Sequence, residues 1–245
     1  MRLSELTWTD VADLDADLAL LPVGSTEQHG PHAPLGTDTL NAVAVAEAAA
    51  EAYEDEVVVA PAIPVAVAEE HRQFPGTLWV TPETFRSYVR ETVASLADHG
   101  LERVVVVNGH GGNVDALREV TGTITRRDDA YAVSFTWFEA VGEHKTLMGH
   151  GGALETAMLR HAAPELVRED QIEEARAGAS DGWGDWVSGV NLAHDSAEFT
   201  DNGVVGDPAE GDAALGAELL ELAADALCAL LAAVAERDTS RPARR

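Results

Sequence analysis

Glu27 and His29 lie two residues apart in GSTEQHGPHAPLGTD, residues 24–38, and on an extended backbone that spacing points both side chains to the same side. They can therefore share a metal site. Asp38 closes the stretch after two prolines and two glycines, and a third ligand delivered by a stiff loop is what a divalent cation needs. The competing reading is a capped polar loop with solvated side chains. A second group follows four consecutive valines: NGHGGN, residues 108–113, sets His110 just beyond a strand-like run, flanked by glycines. Backbone N–H groups in such a turn can approach an anion or a developing oxyanion. A dinucleotide loop is disfavoured because G-x-G-x-x-G spacing is absent. The third group, HGGALET at 150–156, pairs His150 with Glu155 at the entry to a helical pattern.

These groups need a scaffold that brings them to one place. Apolar periodicity predicts strands over 18–23, 57–65, 103–108 and 131–138, with helices over 39–53, 82–99, 114–127, 152–163 and 208–235. Thr81, Pro82 and Glu83 supply an N-cap, a proline at the first helical position and an early acid. Strands alternating with helices imply an α/β fold, a three-layer α/β/α sandwich around a mostly parallel sheet. Ligands gather at the carboxyl ends of such strands. If each of the three groups sits at a strand-to-helix transition, all of them meet at one sheet edge. The organisation is a single domain over 1–236 with a frayed tail over 237–245, and residues 168–207, rich in Gly, Asp and Trp, form an excursion.

Composition narrows the function classes. With 43 Asp plus Glu against 16 Lys plus Arg, the net charge is −27, which repels phosphate backbones and excludes nucleic acid as a partner. Hydrophobic residues make up 46% of the chain, enough for a sizeable core, so the acidity does not signal disorder. The cations are fifteen Arg and one Lys, Lys145. This balance suits a halophilic cytoplasm, where screening at molar salt relieves repulsion between surface carboxylates. The single Cys228 excludes an internal disulfide, and no signal-like or membrane-spanning apolar run is present. Cytoplasmic residence, away from membranes, is the expectation.

The same stretches carry a resemblance. Residues 24–38, Phe74-Pro-Gly-Thr77, 108–113, 150–156 and 203–208 resemble the creatininase family of metal-dependent amidohydrolases over most of the chain. The resemblance implies two divalent ions per subunit, with Glu27 and His110 on one, His29 on the other and Asp38 bridging both. Zn is favoured, with Fe(II) or Mn as alternatives. It also implies a homo-oligomer, often a hexamer. Members that open creatinine carry a Tyr-Glu pair just after the matching His, the Glu serving as a ligand. Gly111 and Gly112 stand there in this chain, and Glu155 is the candidate replacement. A Trp of those members is matched by Thr146 or Leu147, which disfavours creatinine. The Gly-Gly form looks more like two other branches, a deformylase of a formylaminopyrimidine ribonucleotide in flavin and deazaflavin biosynthesis, and a peptidase-like branch maturing a redox peptide. The deformylase is the favoured expectation.

The chemistry expected is hydrolysis of a non-peptide C–N amide bond in a small-molecule substrate. His150 is the candidate general acid for the leaving nitrogen, and Thr77, Gly111 and Gly112 are candidate substrate-binding positions. Three readings stay open beside it: creatinine hydrolysis, a non-catalytic metal-binding assembly subunit, and a Rossmann-type nucleotide binder. His32 is assigned a supporting or loop role, His71 a place near the pocket, and Trp183 with Trp186 either a lid or an oligomer contact.

Overall fold

The computed structural model describes residues 1–240; the end of the expected tail, residues 241–245, lies outside the described residues. After a short helix α1 (Trp8–Ala12), the chain runs through β1 (Leu18–Val23), α2 (Thr37–Ala52), β2 (Val58–Val59), α3 (Pro82–Asp98), β3 (Arg103–Asn108), α4 (Val114–Arg127) and β4 (Tyr131–Thr136). Then follow α5 (Ala153–Ala162), α6 (Ile172–Ala177), the hairpin β5 (Trp186–Val187) and β6 (Val190–Asn191), and α7 (Ala213–Ala235). The main sheet has the order β2-β1-β3-β4 with every pairing parallel. Its register sets Val23 beside Asn108 and Asn108 beside Thr136, so three strands end level at the carboxyl edge.

Both sheet faces are covered, which explains the unbroken apolar strands. The two-residue period splits the valine run between the faces. Val105 and Val107, with Leu18 and Leu20, join the core under α2, α5 and α7. Val104 and Val106, with Ala19, Leu21 and Val23, pack beneath α3 and α4. The result is the expected α/β/α sandwich. Among the described residues no helix is long and apolar enough to cross a membrane.

Several boundaries differ from the sequence expectation, each for a local reason. The second strand is only Val58–Val59, because Pro61 and Pro64 lack the N–H that a ladder requires; the chain still touches the sheet where Gly24 N donates to Ile63 O at 3.0 Å. The terminal helix begins at Ala213, where the Asp212 carboxylate accepts from Leu215 N at 2.8 Å, and Pro208–Glu210 forms a separate turn before it. The excursion contains α6 and the hairpin, whose turn uses positive φ at Ser188 and Gly189. Arg237 is tied down, since its carbonyl accepts from Arg103 Nη2 at 3.1 Å.

Helix α7 and the turn before it approach α5 through Gly216 and Gly211, where an added Cβ would run into the backbone carbonyls of Ala157 and Ala153. Glu155 lies on the segment so clamped. A Gly216→Val substitution should force the helices apart and cost roughly 1–3 kcal/mol, the usual penalty of overpacking. Urea unfolding checks this; an unchanged midpoint would show that the close approach is not needed.

Candidate metal centre

The residues after β1 are held on three sides. Glu27 N donates to Leu35 O at 2.9 Å, Thr26 Oγ1 to Pro64 O at 2.7 Å, and Gln28 N to Thr77 Oγ1 at 3.3 Å. Gly30 takes φ +70°, a turn that suits glycine. Helix α2 begins two residues earlier than expected, with the Thr37 hydroxyl donating to Pro34 O at 2.7 Å. Asp38 therefore lies in the first helical turn, where the helix dipole favours a carboxylate. Beyond β3, Asn108 clasps His110 from both sides, and Asn113 Nδ2 reaches across to Gly24 O at 3.0 Å, joining the two loops.

The third group does not follow a strand. His150 comes after a 3-10 segment, Gly142–Leu147, and is pinned by a two-way bridge with Val205, at 3.0 and 2.8 Å. Glu155 is held in the first turn of α5, accepting from Gly151 N at 2.6 Å. The GVVGDP stretch is therefore what carries His150 to the sheet edge, a role its spacing alone does not reveal.

The groups converge. His29 Nε2 lies 3.0 Å from Asp38 Oδ1 and 3.7 Å from Glu155 Oε2, while His110 Nδ1 lies 3.2 Å from Asp38 Oδ2 and 3.1 Å from Glu27 Oε1. Asp38 thus turns one oxygen to each half of the centre. Ligand atoms of Glu27, Asp38 and His110 lie within 4.8 Å of one another, as do those of His29, His150 and Glu155. All of these side chains are buried, and both Glu27 oxygens and Asp38 Oδ2 lack a hydrogen bond. Buried carboxylate oxygens without hydrogen-bond donors, facing imidazole nitrogens, are the donor set that a pair of divalent ions fits. Outside this set, His110 donates from Nε2 to Val67 O at 2.6 Å, a backbone contact of the kind that orients ligating imidazoles.

Electrostatics tell the same story. Burial works against charge on His29, but Asp38, Glu155 and Glu27 outweigh it and raise the ring to about 10; His110 is raised well above its ordinary value by Glu27 and Asp38. Burial lifts Glu155 to about 7 and raises Glu27, whereas His29 and His110 overcome burial at Asp38 and hold its carboxyl low. Without metal, protons on His29 and His110 supply the positive charge the carboxylates demand. Divalent ions would take over that role.

The expected substrate positions separate. Gly111 and Gly112 line a cavity of about 490 Å³ beside the centre, together with His71, His150 and Trp183. Thr77 does not line it and instead secures the Gln28 backbone. Gly111 has open space for a side chain, but a Cβ at Gly112 would meet Val67 O, His110 Nε2 and Glu70 Oε1. A glutamate could not replace Gly112 without rearrangement, and Glu155 is the carboxylate that stands near His29 in its place. Glu70 lines the cavity and was not singled out by spacing; Glu69-Glu70 reads as ordinary surface charge. His71 is fully interior, and His32 is buried against Thr156 Oγ1 at 3.0 Å, behind the Glu155 turn. The two tryptophans part company. Trp183 sits edge-on to His71 and His150, while Trp186 lies on the exposed hairpin and donates its indole N–H to Trp183 O.

Comparison with known proteins bears on the chain as a whole. The family model described as creatinine amidohydrolase, Creatininase, matches residues 4–231. A mycofactocin precursor peptide peptidase of Mycobacterium ulcerans is 37% identical over 64% of this chain and 63% of its own length. The chain thus aligns with less than two thirds of that relative. A protein of the same name from Mycobacterium tuberculosis strain CDC 1551 is 33% identical over 84% of this chain and 81% of its own. Among solved structures, a presumed creatinine amidohydrolase from Bacteroides fragilis NCTC 9343 superposes with a TM-score of 0.78 at 26% identity, covering 98% of both chains.

The position of Asp38 between the two halves sets an order of severity. Asp38→Ala should abolish binding of both ions, Glu27→Gln should weaken mainly one, and Glu155→Gln should impair loading about as much as His110→Ala. Elemental analysis after dialysis measures each. Full metal content in Asp38→Ala would contradict the bridging role, and full content in Glu155→Gln would return that residue to supporting its turn.

Proposed function

The chain belongs to the creatininase family, and on that footing we propose that it is a metal-dependent hydrolase of a C–N amide bond. Its two-ion centre is formed by Glu27, His29, Asp38, His110 and Glu155. The observation that carries the reading is Asp38, fully buried, with one oxygen toward His29 and the other toward His110. Divalent ions held there would supply an activated water and polarise a carbonyl. Zn, Fe(II) and Mn all suit this mixture of imidazole and carboxylate ligands.

The chain's own residues handle protons and position. His150 donates its Nε2–H to Gln28 O at 2.5 Å, leaving Nδ1 as a bare acceptor that faces Glu27 Oε1 at 3.6 Å. Burial, with His29 and His71 adding to it, keeps the ring neutral. His150 therefore takes a proton from the attacking water at Nδ1 and passes it to the departing nitrogen, acting first as base and then as the acid expected from the sequence. The amides of Gly111 and Gly112 border the cavity where a developing oxyanion needs donors.

Cavity charge bears on the substrate. Glu70, Glu155 and Asp181 line it, with Phe138, Met148, Trp183 and Val205 as the apolar part and no Lys or Arg among the described residues. A nucleotide phosphate would meet carboxylates there, which argues against the favoured deformylase. A neutral or cationic amide with an apolar flank fits better. The peptidase name of the mycobacterial relatives supports the maturation branch, in which the amide belongs to a precursor peptide. A homo-oligomer in the cytoplasm completes the proposal; the hairpin exposes Trp186, Val187 and Val190, apolar surface that assembly would cover. The excess of carboxylates over Lys and Arg suits a high-salt interior.

The test is turnover by protein reconstituted anaerobically with Zn, Fe(II) or Mn. The panel comprises uncharged apolar amides and short peptides, a formamide with and without phosphate, and creatinine. Hydrolysis of uncharged amides, with the phosphorylated formamide slower than its unphosphorylated partner, is expected. Faster cleavage of the phosphorylated form would restore the deformylase. Stoichiometric metal with no hydrolysis would favour a binding subunit.

A further inference from the structure

Three imidazoles line the cavity, and two of them spend their outer N–H on the backbone: His110 on Val67 O and His150 on Gln28 O. His71 is wired the opposite way. The Gln28 amide is oriented by Gly30 N, which donates to its oxygen at 3.0 Å. Its nitrogen therefore carries the two hydrogens, one donated to Gly203 O at 3.0 Å and the other to His71 Nδ1 at 2.9 Å. A ring nitrogen that accepts cannot also hold the proton in a neutral imidazole. The proton is on Nε2. Ser196 Oγ also lies 3.0 Å from Nδ1, but its one hydrogen is donated to Glu70 O at 3.1 Å, so the hydrogen that meets the Nδ1 lone pair is the Gln28 amide's.

The Nε2–H so created faces the metal centre. It points toward Glu27 Oε1 at 3.5 Å, too long for an ordinary N–H···O bond. The ring is held in a stack, 4.3 Å from the His150 centroid at 18°, with His150 in turn 4.3 Å from His29. Trp183 closes its other side edge-on at 5.7 Å. A buried imidazole serving only to fill a core has no need of a dedicated amide to choose its tautomer. Here that amide leaves one donor unspent on the cavity wall, beside Glu27 oxygens that no hydrogen bond engages. Side by side, His150 offers a lone pair and His71 an N–H.

We propose that His71 is a catalytic residue that donates a hydrogen bond from Nε2–H to the carbonyl oxygen of the scissile amide, with Gln28 as the positioning residue that fixes its tautomer. The proposal rests on the hydrolase reading above. No proton is transferred by His71; it strengthens its hydrogen bond as charge builds on the oxygen and relaxes when the carbonyl re-forms. The substrate acquires a requirement from this pairing. Its amide must present the carbonyl oxygen toward His71 while the nitrogen lies toward His150, which selects one orientation of the bond in the cavity.

Two measurements test it, one of them without turnover. Nitrogen-15 shifts of the histidine rings, in metal-free and metal-loaded protein, should show His71 neutral with Nε2 protonated, and Gln28→Leu should mix the tautomers. An Nδ1-protonated His71 in the wild type overturns the proposal. In kinetics, His71→Phe preserves the stacked ring without the donor and should keep full metal content while lowering kcat by about 10²-fold, the scale for one lost oxyanion donor. His71→Gln, whose amide can place an N–H near the same point, should recover about tenfold of that loss. Wild-type kcat in His71→Phe, or loss of metal, contradicts the role. If the wild type hydrolyses no amide at all, the hydrolase reading fails, and the ring-nitrogen shifts alone decide the donor assignment.

Discussion

Three carboxylates, Glu27, Asp38 and Glu155, are buried at one end of a parallel sheet within reach of the same imidazoles. Such a group cannot remain charged in a dry interior unless cations neutralise it. Everything around the centre answers that constraint. Without metal, the answer is protons on His29 and His110, held by the carboxylates against the cost of burial. With metal, each proton must leave, so loading is favoured as pH rises. The stability of the metal-free form runs the other way. The His29 ring is raised from 6.5 to about 10, so its contribution is present below pH 6.5 and lost as pH climbs through 10. The raised Glu155 adds to the same loss, because keeping its carboxyl neutral becomes costly above its unfolded value.

The scaffold supplies rigidity where the charges require it. Level strand ends bring the β1 and β3 loops side by side, and Asn113 ties one to the other. The dipole of α2 supports Asp38, and Val205 holds the His150 backbone in place from across the excursion. Gln28 links the excursion to the centre by donating both to Gly203 O and to His71. One side chain thereby sets the position of a loop and the tautomer of a ring.

Much of this was legible in the chain. The valine run is long enough and apolar enough only for a strand buried on both faces, and the Glu27-His29 spacing makes sense only on an extended segment that faces a ligand. The beginning of α2 was less legible, because Gly36 is a weak cap signal and the Thr37–Pro34 bond is invisible until the loop is folded. The place of His71 near the pocket was legible only from its neighbourhood to residues 74–77, and that of Glu70 could not be read at all. Both sit in an irregular stretch whose place depends on contacts with residues more than a hundred positions away, such as the Ser196 bond to Glu70 O. Periodicity reports faces of elements, and irregular segments have none. Gly112 had a partial signal: a missing ligand was evident, but only the folded backbone shows that a side chain there would strike Val67 and Glu70.

The central claim is that Asp38 joins two cation sites, with Glu155 completing the one at His29. Anomalous diffraction from crystals of the Zn-loaded protein tests it directly. The account predicts two peaks flanking the Asp38 carboxylate, about 3.5–4 Å apart as in two-metal sites generally, with Glu155 bound to the peak at His29. A single peak, or two peaks with Glu155 bound to neither, would contradict it.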